Sequence, residues 1–202
     1  MADPEADGSL VRRFLDGEPS AFGVLVERHQ TRVFNLCLRI LGNREDAYDA
    51  AQETFMAAMR KLGQFRGDAA FTTWLHRVAV NACYDELRKQ RRRPMLHVIA
   101  PGDTDEPREE GPPSLDHADE VSGSIDAAAA LARVPQEFRV ALVLADIQDL
   151  PYEQIARILE VPVGTVKSRV HRGRLAMAKA MGIGGDPSRE PGAHPGASEE
   201  QR

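Results

Sequence analysis

The stretch Leu150–Met181, LPYEQIARILEVPVGTVKSRVHRGRLAMAKAM, decides how this chain folds. Its first run, YEQIARIL, spaces Ile155, Ala156 and Leu159 as the buried stripe of a short helix. EVPV follows, with Val161 tucked inward and Pro162 unable to continue the helix. A second periodic run then starts at Val163. Two short helices joined by a tight turn make a helix-turn-helix. On the second helix Val163, Val166, Val170, Gly173 and Met177 fall within about 80° of arc and face the core. Gly164, Thr165, Ser168, His171, Arg172 and Lys179 lie opposite, with Lys167, Arg169 and Arg174 on the flanks.

From Val163 to Met181 there are five lysines or arginines and no carboxylate, although the whole chain of 202 residues carries a net −5. A helix entering the major groove needs small or polar side chains near its N-terminus for base edges, and cations at its sides for phosphates. Thr165, Lys167, Ser168, Arg169, His171 and Arg172 fit that pattern, and Arg172 suits a bidentate contact to guanine. The competing reading is a basic helix that only pairs with acidic residues elsewhere in the chain.

Such acidic residues are concentrated in one place. Residues 95–125 hold one Lys/Arg against eight Asp/Glu, whereas residues 1–94 hold 15 against 13 and residues 126–182 hold eight against six. The segment PGDTDEPREEGPPSLDHADEVSGS has few large apolar residues and many prolines, glycines and acids. It cannot bury enough surface to offset ordering entropy, so it reads as an extended linker. The tail from residue 183 has the same character. The expected plan is therefore all-α: two small helical domains, residues 8–94 and 124–182, joined by an acidic linker at 95–123 and followed by a disordered tail, 183–202. Each domain ends in a basic stretch, RKQRRR (Arg88–Arg93) in the first, and two basic patches point to a polyanion.

In the first domain, Phe22, Val26, His29, Val33, Leu36, Cys37 and Ile40 recur at helical spacing between Pro19 and Gly42. Asn43 suits the cap of a helix from Arg44 to Leu62, with Asp46 three residues on. There Ala47, Ala51, Phe55, Ala58 and Leu62 form the core stripe. Asp46, Asp49, Glu53, Met56 and Arg60 fall on the far side, either as a solvated face or as a docking surface for a basic partner. Gly67 and Asp68 interrupt the pattern before a helix from Phe71 to Arg92, with Phe71, Leu75, Val78, Ala79 and Ala82 inward. Its other face gathers Thr73, Arg77, Asn81, Tyr84 and Arg88, a mixture suited to unpaired nucleic acid, on which bases stack while cations track phosphates. Trp74 lies between the two faces.

Other classes find little support. No apolar run approaches the roughly 20 residues of a membrane span, which excludes insertion of a helix. The N-terminus MADPEADGSLVRRF lacks the pattern of a secretory signal, so a cytoplasmic protein is expected. Cys37 and Cys83 read as reduced core thiols, since no CxxC or HxxxC cluster suggests a metal. Walker, HExxH and GxSxG motifs are absent. Neither enzymatic activity, a cofactor nor a metal is expected.

The segments DAYDAAQETFMAAMRKLGQFRG, AAFTTWLHRVAVNACYDELRKQRRR, LARVPQEFRVALVLADIQ and LPYEQIARILEVPVGTVKSRVHRGR, in that order, resemble the ECF (extracytoplasmic function) type of bacterial RNA polymerase sigma factor, within the sigma-70 family. The likeness spans roughly Leu10 to Met181. It implies a transcription initiation factor whose sigma region 2 covers 8–94 and whose region 4 covers 124–182. It also implies a face of Asp46, Asp49, Gln52, Glu53 and Met56 that docks on the β′ clamp helices of core RNA polymerase, and a second contact with the β flap. Arg66, Gly67, Asp68, Ala69, Thr73, Arg77, Asn81 and Arg88 would read the promoter −10 element with one base flipped out. The basic helix would read the −35 element, and a separate anti-sigma factor would restrain the protein. A stand-alone helix-turn-helix regulator, dimeric and binding palindromes without polymerase, is the alternative.

Overall fold

A computed structural model of the chain describes residues 6–67, 69–92 and 121–183, the side chains of 121–126 apart. The expectations for Asp68, for the body of the acidic segment and for the tail lie outside these residues. The described residues contain helices and turns and no strand, so the all-α expectation holds. The elements are α1 (Asp7–Leu15), α2 (Pro19–Leu41), α3 (Arg44–Lys61), a 3₁₀ turn (Leu62–Gln64), α4 (Phe71–Arg92), α5 (Val121–Arg133), α6 (Gln136–Leu142) leading into a π turn (Val143–Ile147), α7 (Tyr152–Leu159) and α8 (Val163–Ala180).

The caps fall where the sequence asks for them. Pro19 sits in the first turn of α2, and Gly42 ends that helix at φ 75°, its N–H donating to the Leu38 carbonyl at 2.8 Å. Asn43 Oδ1 then accepts from the N–H groups of Glu45 (2.8 Å) and Asp46 (3.2 Å), starting α3 without a gap. Glu45 and Asp46 in the first turn and Arg60 and Lys61 in the last complement the helix dipole.

The buried face of α3 is almost entirely small: Ala47, Ala50, Ala51, Thr54 and Ala58. Small residues let α3 lie close to the larger side chains of α2, among them Leu36 and Ile40, both fully buried. Phe55, expected inside, is only half-buried, and Thr54 takes the inward position instead. The Thr54 hydroxyl donates to the Ala50 carbonyl at 2.6 Å, which removes the cost of burying it. On α4 the buried set is Phe71, Thr73, Leu75, His76, Ala79, Val80, Ala82, Cys83 and Glu86, while Val78 is half-buried.

In the second domain α8 buries Val166, Val170 and Gly173, the centre of the expected arc. Gly173 is where α8 meets α6 most closely: a Cβ there would lie 3.0 Å from the Phe138 carbonyl oxygen and 3.2 Å from Leu142 Cβ. On α7 the inward pair is Ile155 and Ile158, with Ala156 and Leu159 half-buried. The shift arises because α7 is covered from two sides, by α8 and by α4. The two domains are not apart. A contiguous apolar core runs through both, and Ala132 of α5 packs at the Gly42 turn that ends α2.

Candidate nucleic-acid and polymerase interfaces

The helix-turn-helix is built by α7 and α8. Glu160 ends α7 in the left-handed region (φ 54°), which swings Val161 back so that its N–H donates to the Ala156 carbonyl at 3.1 Å. Pro162 then starts α8, and its carbonyl accepts from the N–H groups of Thr165 and Val166. Lys167, Ser168, His171 and Arg172 are exposed on one side of α8, and Thr165 is half-buried at its start. The Arg172 guanidinium stands 5.8 Å from the Phe138 ring centroid, a cation–π seat that holds it in place. Arg169 behaves differently from its neighbours. It turns back to Glu137 at 3.5 Å and is largely covered. Arg174 is locked by Asp146 through two hydrogen bonds of 2.7 and 3.0 Å.

A second constellation forms where the 3₁₀ turn meets α4. Lys61, Gln64, Phe65, Arg66, Gly67, Ala69, Trp74, Arg77, Val78 and Asn81 surround a cavity of about 400 Å³. Gly67 adopts φ 79°, which lets the loop bend over its mouth. Its wall is aromatic: Phe65, Phe71 and Trp74 stack mutually with centroids 5.6–5.8 Å apart. His29 adds a ring 5.5 Å from Phe71. Cations at the rim, a flat aromatic wall and the Asn81 amide are the requirements for holding an unpaired base. Arg66, Gly67, Ala69, Arg77 and Asn81 are thus brought together as expected. Thr73 is not on this open face. It is 7% exposed and its hydroxyl donates to Gln154 Oε1 of α7 at 3.5 Å. Lys61, Gln64 and Phe65 line the cavity and were not singled out from sequence, although the interleaved KLGQFRG is itself a cation-and-aromatic signal.

Arg88 also departs from expectation. It pairs with Asp85 and joins Asp49, Gln52, Glu53, Met56, Lys89 and Arg92 along a surface trough between α3 and α4. It therefore belongs with the acidic face of α3. Within that face Glu53 holds Arg60 at 2.6 Å, and Met56 is exposed, as are nearby Tyr48 and Met59. Asp46 sits apart from this trough. Half-buried, it accepts a hydrogen bond from Gln90 of α4 at 2.8 Å. Burial, then the carboxylates of Glu86 and Glu45, hold its carboxyl above the usual aspartate range. Asp46 ties α3 to α4.

The thiols of Cys37 and Cys83 are fully buried, and a hydrogen bond with Cys37 together with burial pushes Cys83 well above the ordinary thiol range. That state opposes nucleophilic chemistry. Among the described residues no group of histidine, cysteine and carboxylate side chains could hold a metal ion, and no helix is long and apolar enough to cross a membrane.

Comparison with known proteins agrees with this geometry. The sigma-70 region 2 family matches residues 25–93 and the sigma-70 region 4 family matches residues 125–177. The RNA polymerase sigma-H factor of Pseudomonas aeruginosa is 36% identical over 188 residues, 90% of this chain and 96% of that protein. The ECF RNA polymerase sigma factor SigM of Mycobacterium tuberculosis is 37% identical over 177 residues, 88% of this chain and 85% of the other. Among solved structures, the sigma factor RpoE in complex with the anti-sigma factor NepR from Bartonella quintana has the same fold, with a TM-score of 0.61 at 24% identity over 80% of this chain and 97% of that one. With both sigma regions matched in order and relatives spanning nearly the whole chain, this protein belongs to the ECF group of the sigma-70 family, the transcription initiation factors that bind core RNA polymerase and direct it to promoters.

Proposed function

We propose that three separate faces divide the work of promoter recognition in this chain, within domains spanning 8–94 and 124–182. The trough with Asp49, Gln52, Glu53 and Met56 docks on the basic β′ clamp helices, Arg88 and Lys89 steering its edge. The cavity rimmed by Lys61, Arg66, Arg77 and Asn81 takes a flipped base of the −10 strand. The exposed side of α8, with Thr165, Lys167, Ser168, His171 and Arg172, reads the −35 duplex. Exposed Ile147, Leu175, Met181 and Ile183 supply apolar surface on the second domain for the β flap. The protein works in the cytoplasm, and an anti-sigma protein restrains it, as NepR partners the RpoE relative of the same fold.

The aromatic-walled, cation-rimmed cavity is the observation that carries this reading. A solvated helix face needs cations and amides but has no use for Phe65, Phe71 and Trp74 stacked beside them. Each reader alone binds weakly, and polymerase fixes their spacing, turning two modest affinities into one register-specific affinity. Net negative charge keeps the free chain from gathering on random DNA. Run-off transcription with core polymerase tests the assignment. Defined start sites that depend on Arg66 and Asn81 are expected. A chain that neither binds core polymerase nor gives a defined start refutes it.

A further inference from the structure

Two residues of the −10 face are already engaged by the other domain. Arg77, on the rim of the cavity, forms an ion pair with Glu160 of α7, and Thr73, four residues earlier, donates to Gln154 of the same helix. Arg91 of α4 further donates to Gln136 of α6 at 2.9 Å. By contrast Lys167, Ser168, His171 and Arg172 on α8 face solvent. One reader is open while the other is partly covered.

Glu160 carries a second signal. At φ 54° it occupies a conformation that glycine adopts without cost and a branched backbone does not. A glycine would cap α7 equally well but would leave Arg77 without a carboxylate. That carboxylate stands where a nucleic-acid phosphate would meet the same guanidinium, so the two compete for one cation. Gln154 occupies the Thr73 hydroxyl in the same way.

We propose that α7 is an internal occupant of the −10-reading face: Glu160 and Gln154 must leave Arg77 and Thr73 before a strand can enter. The free factor thus hides its single-strand reader while displaying its duplex reader, and separation of the domains on polymerase exposes the former. This rests on the assignment of the α4 cavity as the −10 reader. The pair is half-exposed, with Arg77 48% and Glu160 64% accessible, so its own contribution is small. It biases which anion Arg77 meets, while the shared apolar core keeps the domains together.

The test uses the free full-length chain and a fluorescein-labelled single-stranded decanucleotide of mixed sequence, read by anisotropy at low salt. Glu160→Gly, which suits the backbone at that position, and Gln154→Ala should each tighten binding about two- to fivefold. Glu153→Gln removes an exposed carboxylate from the same helix and should leave binding within error of the parent. With saturating core polymerase, Glu160→Gly should transcribe at the parental level. The proposal is overturned if Glu160→Gly and Glu153→Gln shift affinity equally, which is a net-charge effect, or if neither Glu160→Gly nor Gln154→Ala shifts it. Failure of the −10 assignment looks different: Arg66→Ala and Asn81→Ala would then leave polymerase-dependent start sites untouched.

Discussion

The two DNA-facing regions of this protein are built in opposite ways. The α8 surface is convex, polar and open, and its cations are seated within their own domain: Arg172 over Phe138, Arg169 on Glu137, Arg174 on Asp146. The α4 region is concave, walled by Phe65, Phe71 and Trp74, and its cation Arg77 is held from the other domain. A duplex offers groove edges that a rigid convex helix can read, so the side chains need seating and little else. An unpaired base offers faces, and faces require a slot. The contrast teaches that a similar charge content serves different substrates through the shape on which it is mounted.

Four experiments bear on this contrast. The largest effect is expected away from both readers. Reversing Asp49 and Glu53 to lysine should weaken core-polymerase binding by about a hundredfold, because it sets like charges across the interface. DNA binding by α8, measured by gel shift, should survive, and loss of both together would mean the faces are not separate.

Next comes pH, which should act on the first domain. His76 is buried, its Nδ1 has no hydrogen-bond partner, and burial, with Arg32 and His29 nearby, lowers its pKa from 6.5 to about 4. The unfolded chain therefore takes up a proton that the fold refuses. Stability is full above about pH 6.5 and falls as pH drops towards about 4, by up to about 3 kcal/mol. Urea unfolding followed by Trp74 emission at pH 7 and pH 5 checks this, and His76→Gln should flatten the difference. Third, Gly173→Ala places a Cβ against the Phe138 carbonyl and Leu142 and should cost the second domain about 1–3 kcal/mol, seen as a lower thermal midpoint. Last, Arg172→Ala should cost about 1–3 kcal/mol at one −35 base pair and relax selection there. An equal loss on every sequence would reassign Arg172 to phosphate.

Much of this architecture was legible before any coordinates, and the exceptions share a cause. Val166, Val170 and Gly173 are buried because α8 has one neighbouring face to satisfy, and periodicity reports that directly. Asn43, Gly42 and Pro19 act within their own turns, so local chemistry sufficed. Asp46, Thr73, Arg169 and Arg88 were misplaced or only partly placed. Their partners are Gln90, Gln154 and Glu137, far along the chain, and for Arg88 the trough shared with α3. Helical phase gives a direction and cannot say which distant side chain waits there. The same limit hid the aromatic wall, since Phe65 and Phe71 flank the loop and meet Trp74 only when it folds back.

The π turn after α6 has a history written into it. Gln148 N–H reaches back to the Val143 carbonyl at 3.0 Å, one residue further than a regular helix allows, and Leu150 reaches Leu144 at 3.1 Å. Such a widening accommodates one inserted residue, and it rotates everything downstream by about a quarter-turn or slightly more. Asp146, within that widened turn, is the residue that grips Arg174. Removing a single residue between Val143 and Ile147 would restore ordinary winding, swing that carboxylate aside and unfasten the clasp, so the insertion and the arginine are expected to be gained or lost as one inheritance.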